Sequence, residues 1–417
     1  MDQTKLNPGA PNRAIAEQPP AASDAKVSIA VLSFSRISRD RRVLRQCALL
    51  KELGYSPVVI GYGDQGEAIG HDFESWPVPQ PTTWHRIRTV ARQLPAHLGG
   101  GAAKLGFWME PRHRWALDRL RRHRCSLVLA NDWPALVVAA AWKIESGAKL
   151  IYDTHEFATL EFDERAWWRV VYKPFVTQLE RAYIREADDV ITVGPSLARA
   201  LEAQYGLLKR VLVIRNTPNR IELSETSNTR WPLRVLYHGA VLPDRGLEAL
   251  IDSLPMWHEA HQVTIRGDGS QGYIRKLQQQ VAAVGCERQV TFESAVRPEE
   301  VMPLAARTAD LGVHFTPLDT EQRHFSLPNK LFEYVGAGLA VAVSPGADLK
   351  RVVERHGFGV VSSGAKPQAI AATINALSQA RVVELRANAR AAAADLCWEQ
   401  ERVALRDLLG VYLGQSH

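Results

Sequence analysis

From Lys26 onward short apolar runs alternate with longer amphipathic ones, and no other feature limits the fold of this chain so tightly. KVSIAVLSF is followed by RRVLRQCALLKELG and SPVVIGY. SLVLAN leads through PALVVAAAWKIESG to KLIYD, and DVITV through PSLARALEAQYG to RVLVIRN. Short runs rich in Val, Ile and Leu read as strands covered on both faces, and the amphipathic segments between them read as crossover helices. Gly54, Gly147 and Gly206 each follow a helical run, where a left-handed cap is wanted. Such strand-helix-strand units build a parallel sheet.

A polar segment rich in Ser, Thr and Asn, residues 219–231, interrupts the pattern as a linker would. The alternation then restarts with RVLYHGAV, QVTIRGDG, QVTFESAV, DLGVHFTP, LAVAVSP and GVVSSG, each separated by a helical stretch. At 417 residues the chain can bury two cores. The expected fold is α/β: two Rossmann-like domains, residues 26–218 and 232–395, whose parallel sheets face an interdomain cleft with their carboxyl ends. Residues 1–25, rich in Pro, Ala, Asn and Gln, are expected to be a disordered tail. They lack the basic and apolar regions of a signal peptide, and no later stretch reaches the ~20 apolar residues of a membrane span. A cytoplasmic location is expected. Cys47, Cys125, Cys286 and Cys397 lie too far apart to suggest a zinc site or a disulfide framework.

The net charge of +6 is unevenly spread. Between Thr83 and Cys125 stand ten cations (Arg86, Arg88, Arg92, Lys104, Arg112, Arg114, Arg119, Arg121, Arg122 and Arg124) against Glu110 and Asp118. Trp84, Leu94, Leu98, Leu105, Phe107, Trp108 and Trp115 are interleaved with them. Two readings stand: a surface that meets anionic membrane, peripheral on its inner face, or a solvated helix face whose Trp residues are core. Nucleic acid is not expected, because no nucleic-acid-binding motif accompanies the charge.

Candidate chemistry concentrates in SLPNKLFEYVGAG. Pro328 can occupy the first turn of a helix there, with Asn329 and Lys330 at its amino terminus, where the helix dipole and a full positive charge favour phosphate. Glu333 lies one turn deeper on the same face and can accept from ribose hydroxyls of a nucleotide whose phosphates sit at the helix start. Spacing alone equally allows a surface Lys/Glu pair.

Here the sequence resembles a family. SLPNKLFEYVGAGLAVAVS, HGAVLPDRGLEALI, YDTHEF and DRRVLRQCALLKELG together are similar to the retaining glycosyltransferases of family 4, which have the two-domain GT-B fold. The resemblance implies an acceptor domain at 26–218, a nucleotide-sugar donor domain at 232–395, and a carboxy-terminal helix, 396–417, crossing back to the first domain. It also implies a Glu-x7-Glu pattern, of which Glu333 is the second acid, but Phe325 stands where the first would be. The family's Gly-Arg turn reads Gly239-Ala240 here, and Arg245 replaces its Lys. Arg245 and Lys330 are thus the candidate diphosphate cations, with Gly239, Gly267, Arg297, Asn329 and Pro328 as further donor-binding residues. His155, in YDTHEF, is the implied catalytic residue of the amino domain. Asp132 and Glu156 are candidate acceptor-side residues, although each can equally start a helix. Asp40 and Arg42 match the family's Asp-x-Arg-Val, with a structural contact at the helix start as the expected role.

No metal and no cofactor are expected, because Arg245 and Lys330 can carry the positive charge and no DxD motif sits in a strand-end loop. The partners are then a nucleoside-diphosphate sugar and a glycan or polyprenyl-linked acceptor. An epimerase of the same architecture and a non-catalytic sugar-nucleotide binder remain open alternatives.

Overall fold

The computed structural model describes residues 28–414 apart from 65–68, 80–81, 162, 164 and 224–227, so the expected tail at 1–25 lies outside the described residues. Strands β1 (Ile29–Arg36), β2 (Val58–Tyr62), β3 (Asp72–Trp76), β4 (Leu127–Asn131), β5 (Lys149–Asp153), β6 (Asp189–Thr192) and β7 (Leu212–Val213) form one parallel sheet in the order 3-2-1-4-5-6-7. A second parallel sheet, in the order 10-9-8-11-12-13, contains β8 (Arg234–His238), β9 (Gln262–Arg266), β10 (Val290–Glu293), β11 (Leu311–His314), β12 (Ala340–Val343) and β13 (Gly359–Val361). β3 has no counterpart in the sequence reading. Its residues DFESW are exposed or half-buried at a sheet edge, so they carry no apolar run to announce them.

Alternation along β1 explains the layering. Ala30 and Leu32 enter a core beneath one set of helices, and Ile29 and Val31 enter a second core on the other face. In β8, Val235 and Tyr237 divide from Leu236 in the same way. Each fully buried aliphatic side chain contributes on the order of 1.5–3 kcal/mol, so a one-residue slip of either strand would be prohibitive. The carboxy-terminal helix Trp398–Leu413 lays Trp398, Leu405, Leu409 and Leu413 into the core of the first sheet. Its Glu401 accepts from Arg215 at 2.6 Å, and Arg45 of the first domain stacks over Trp398. The four cysteines are buried and unpaired.

Both sheets reverse strand order at one point, between β1 and β4 in the first and between β8 and β11 in the second. Chain segments leaving the neighbouring strand ends diverge there and open a crevice, which is where ligands bind in such sheets. Among the described residues no helix is long and apolar enough to cross a membrane.

The basic segment divides in two. Phe107 is buried, while Trp108 and Trp115 pack against the first core, so these three aromatic residues are structural. Trp84, Leu98 and Leu105 are exposed at 74%, 85% and 67%. Beside them the helical turn Trp168–Tyr172 adds exposed Val170, preceded by exposed Trp167. Arg92, Arg119 and Arg121 are tied to Glu110, Glu74 and Glu145, whereas Arg88, Arg114, Arg122 and Arg124 are exposed.

Candidate active site

A cleft of about 760 Å³ lies between the two domains, lined from one wall by residues following β1 and β5 and from the other by residues following β8 and the helix Asn329–Gly336. Glu333, Lys330, Asn329, Pro328, Arg245, Gly239, Gly267, His155 and Glu156 all face it. The structure thus gathers nine of the sequence-predicted residues, from separate segments, around one space.

On the carboxy-terminal wall, Pro328 precedes the helix in extended backbone instead of occupying its first turn. Leu331, Phe332, Tyr334 and Val335 anchor the helix in the second core, which leaves Lys330 and Glu333 on the cleft side. Glu333 meets two groups that sequence reasoning missed. Its Oε2 is 2.9 Å from Nε2 of His238, the last residue of β8, and its Oε1 is 3.6 Å from Arg41 of the opposite domain. Burial alone would raise the Glu333 pKa, but His238, Arg41 and Lys330 outweigh it and hold the carboxyl below its ordinary range. A signal for His238 existed: it directly precedes Gly239 at a strand end. Lys330 places its ammonium 3.8 Å from the centre of the Tyr237 ring. Burial, then the neighbouring Arg245, pushes its pKa down to about 7, with Glu333 opposing. A Cβ on Gly239 would stand 3.5 Å from the Lys330 ammonium, and Gly239 itself adopts φ 114°.

Gly267 is glycine for another reason: a Cβ there would lie 1.8 Å from the Gly239 carbonyl oxygen, so it holds two loops in contact. Arg297 is not in the site. It is 73% exposed and paired with Glu300 at 2.8 Å, capping the turn Pro298–Glu300, while Ala295 and Val296 reach the cleft in its place.

Phe325, where the family pattern has its first acid, packs 6.4 Å from Phe157 of the first domain. Gln322 on the same short helix donates to Glu156 at 3.2 Å and accepts from the Phe157 amide at 3.3 Å. The departure at Phe325 therefore serves contact between the walls. Asp348 makes a second such contact: it accepts from the Ser196 amide at 2.8 Å and from its hydroxyl at 2.7 Å, at the start of helix Pro195–Tyr205.

On the amino-terminal wall, Asp132 and His155 end adjacent strands in left-handed backbone, with φ 67° and 52°. Non-glycine residues held there cost on the order of 1–3 kcal/mol each and persist only where the surroundings over-determine them. A buried network does so. The Arg42 guanidinium makes a two-pronged contact with Asp153 at 2.7 and 3.0 Å, Gln46 bridges Asp153 and Asn131, and the Asn131 side-chain oxygen is 2.8 Å from His155 Nε2. Asp40 accepts from the Val43 amide as the helix cap. Asp40 thus keeps its expected structural role at the helix start, while that of Arg42 extends to aiming His155 through Asp153, Gln46 and Asn131. Asp132 lies 3.8 Å from His155 Nδ1 in a side recess off the cleft, and burial pushes its pKa up to about 6.

Comparison with known proteins agrees with this arrangement. The Glycosyl transferase 4-like domain matches residues 40–217, and the domain described as Glycosyl transferases group 1 matches residues 232–380. The chain belongs to the family-4 type of group 1 glycosyltransferases. Its two-domain architecture is GT-B. Anabaena HepE in complex with UDP is 19% identical, with a TM-score of 0.67 over 92% of this chain and 100% of that one. Sucrose-phosphate synthase from Thermosynechococcus elongatus is 15% identical, with a TM-score of 0.70 over 93% and 100%. WaaG, described as a glycosyltransferase of lipopolysaccharide biosynthesis, is 16% identical, with a TM-score of 0.64 over 90% and 98%. No curated protein sequence matches the chain. As a glycosyltransferase, it must stabilise a departing nucleotide and present an acceptor.

Proposed function

We propose that this glycosyltransferase moves a sugar from a nucleoside-diphosphate donor to a glycan or lipid-linked acceptor with retention of anomeric configuration, in bacterial cell-surface polysaccharide or glycolipid assembly. The observation that carries the reading is the convergence of Glu333, Lys330 and Arg245 on the cleft: Glu333 lies one helical turn past Lys330, and Arg245 comes from the turn after β8. Glu333 accepts from the ribose hydroxyls, while Lys330, Arg245 and the amino terminus of the helix Asn329–Gly336 take the diphosphate charge as the bond to the sugar breaks. Those cations supply the charge that a divalent ion would otherwise bring. His155, held by Asn131, hydrogen-bonds the sugar or the incoming hydroxyl, and attack proceeds on the face from which the nucleotide departs. The contacts of Phe325 and Asp348 hold the walls together and exclude water that would hydrolyse the donor. Lys330 supplies the cation missing at Ala240, which favours turnover over mere binding.

The exposed Trp84, Leu98, Leu105 and Trp167, with the exposed arginines near them, suit an anionic membrane surface and support peripheral attachment. UDP sugars head the donor panel, since the HepE structure is described as a UDP complex. The test measures nucleoside diphosphate release from each donor with and without glycan and lipid-linked acceptors. Release that depends on acceptor is expected, and tight donor binding with no release on any acceptor would sink the reading. Sedimentation with anionic vesicles tests the membrane surface, and its loss in a Trp84→Ser, Leu98→Ser variant is the expected result.

A further inference from the structure

The proposed donor contacts use the cations of one wall, and the other wall carries arginines of its own. Arg36, at the end of β1, and Arg39 and Arg41 just after it all line the cleft. Arg36 pairs with Asp64 at 2.9 Å, and Arg41 approaches Glu333. Arg39 is exposed to the cleft and has no carboxylate within 4.0 Å among the described residues. Its neighbour Asp40 is already committed, accepting from the Ser35 hydroxyl at 2.6 Å and from the Val43 amide at 3.1 Å. Beyond His155 the polarity reverses. A recess of about 290 Å³ contains Asp132, Glu156 and Glu161 beside the aromatic Phe34 and Trp133. Carboxyl groups exchange hydrogen bonds with sugar hydroxyls and offer phosphate no cation, whereas a planar guanidinium matches phosphate oxygens. We propose that the acceptor is a phosphate-bearing sugar, with its hydroxyl face in the recess beside His155 and its phosphate on Arg39. This deepens the transferase reading above and rests on it.

The experiment loads the protein with UDP, so that Arg245 and Lys330 are occupied, and titrates glucose 1-phosphate against glucose by calorimetry. Wild type is expected to prefer the phosphate by roughly tenfold, the scale of one charge-assisted contact. Arg39→Gln should abolish the preference, and Arg275→Gln, on the exposed face of the helix Gln271–Ala283 away from the cleft, should retain it. A parallel arm replaces the soluble probe with phosphatidylcholine vesicles with or without phosphatidic acid. Recruitment that needs phosphatidic acid and fails in Arg39→Gln places the phosphate on a lipid, while binding of glucose 1-phosphate alone places it on a soluble sugar. Equal affinity for glucose and its phosphate together with no Arg39-dependent recruitment overturns the subsite. So does an Arg39→Gln variant that loses UDP affinity and keeps the preference, since Arg39 would then serve the donor. Failure of wild type to bind UDP at all would overturn the donor assignment itself, a result distinct from either.

Discussion

The two walls of the cleft solve the same problem of placing polar groups in opposite ways. On the carboxy-terminal wall a regular helix, anchored by four buried apolar side chains, presents Lys330 and Glu333 on its free face. On the amino-terminal wall His155 and Asp132 hang from strand ends in strained backbone and are aimed by an ionic network beneath them. Helical periodicity places a constant ligand such as a nucleotide with little strain. The opposite wall, which the proposed function gives to the acceptor, is built instead from strand-end segments, whose geometry has to be enforced from below.

Removing that enforcement should produce the largest effect. Asp153→Ala leaves the Arg42 guanidinium buried without its partner, and the expected loss of folding stability is about 3–5 kcal/mol, measured by urea unfolding. Replacing both residues with apolar ones of similar volume should restore much of that stability, yet leave His155 unaimed and turnover low. If turnover returns with stability, the network is merely structural and the contrast between the walls fails.

The helix wall should lose function without losing its fold. Glu333→Gln keeps the shape of the side chain and removes the charge, so UDP affinity should fall by about 1.5–3 kcal/mol, on the order of 10–150-fold, while the protein still folds cooperatively with an unfolding midpoint lowered only by the lost His238 and Arg41 contacts. Unaltered affinity in calorimetry would remove Glu333 from the donor site.

This contrast also explains what was legible in the sequence. Strand and helix periodicity revealed both sheets, and the spacing from Lys330 to Glu333 revealed one face, because regular structure maps sequence separation onto direction. His238 and Arg41 were not legible as partners of Glu333, since strand order and domain contact bring them there and no local pattern records either. Phe325 read as a defect in a motif until Phe157 was found against it, more than one hundred residues away. Arg297 differs in the opposite sense: the resemblance supplied a donor-binding role, whereas in the structure its side chain pairs with Glu299 and Glu300 and does not line the cleft.

A smaller effect separates the two cations of the helix wall. Lys330 has its pKa lowered to about 7 in the free protein, and a bound diphosphate must raise it. Below that value Lys330 is charged in both states, and binding is insensitive to this group. As pH rises above it the free form loses its proton, so affinity should weaken by up to about tenfold per unit until the raised pKa of the complex is reached. UDP binding at pH 8 should therefore take up protons, seen as a calorimetric enthalpy that depends on the buffer, and Lys330→Met should abolish the uptake. The same shift predicts that folding stability rises between about 7 and the ordinary lysine range, because the unfolded chain binds the extra proton there.

The smallest expected effect tests the edge of the helix wall. Arg297 stands at the end of the loop that brings Ala295 and Val296 to the cleft, but its own side chain points to solvent and pairs with Glu300. Exposed pairs of this kind contribute little, so Arg297→Ala should change UDP affinity less than about twofold. Gly267→Ala, by contrast, drives a methyl group into the Gly239 carbonyl and should displace the turn that faces Lys330. An Arg297→Ala variant as weak as Gly267→Ala would mean that the loop closes over the nucleotide and carries the arginine inward. The donor wall would then also owe part of its site to an irregular segment, and the division between a helical wall and a loop-built wall would no longer hold.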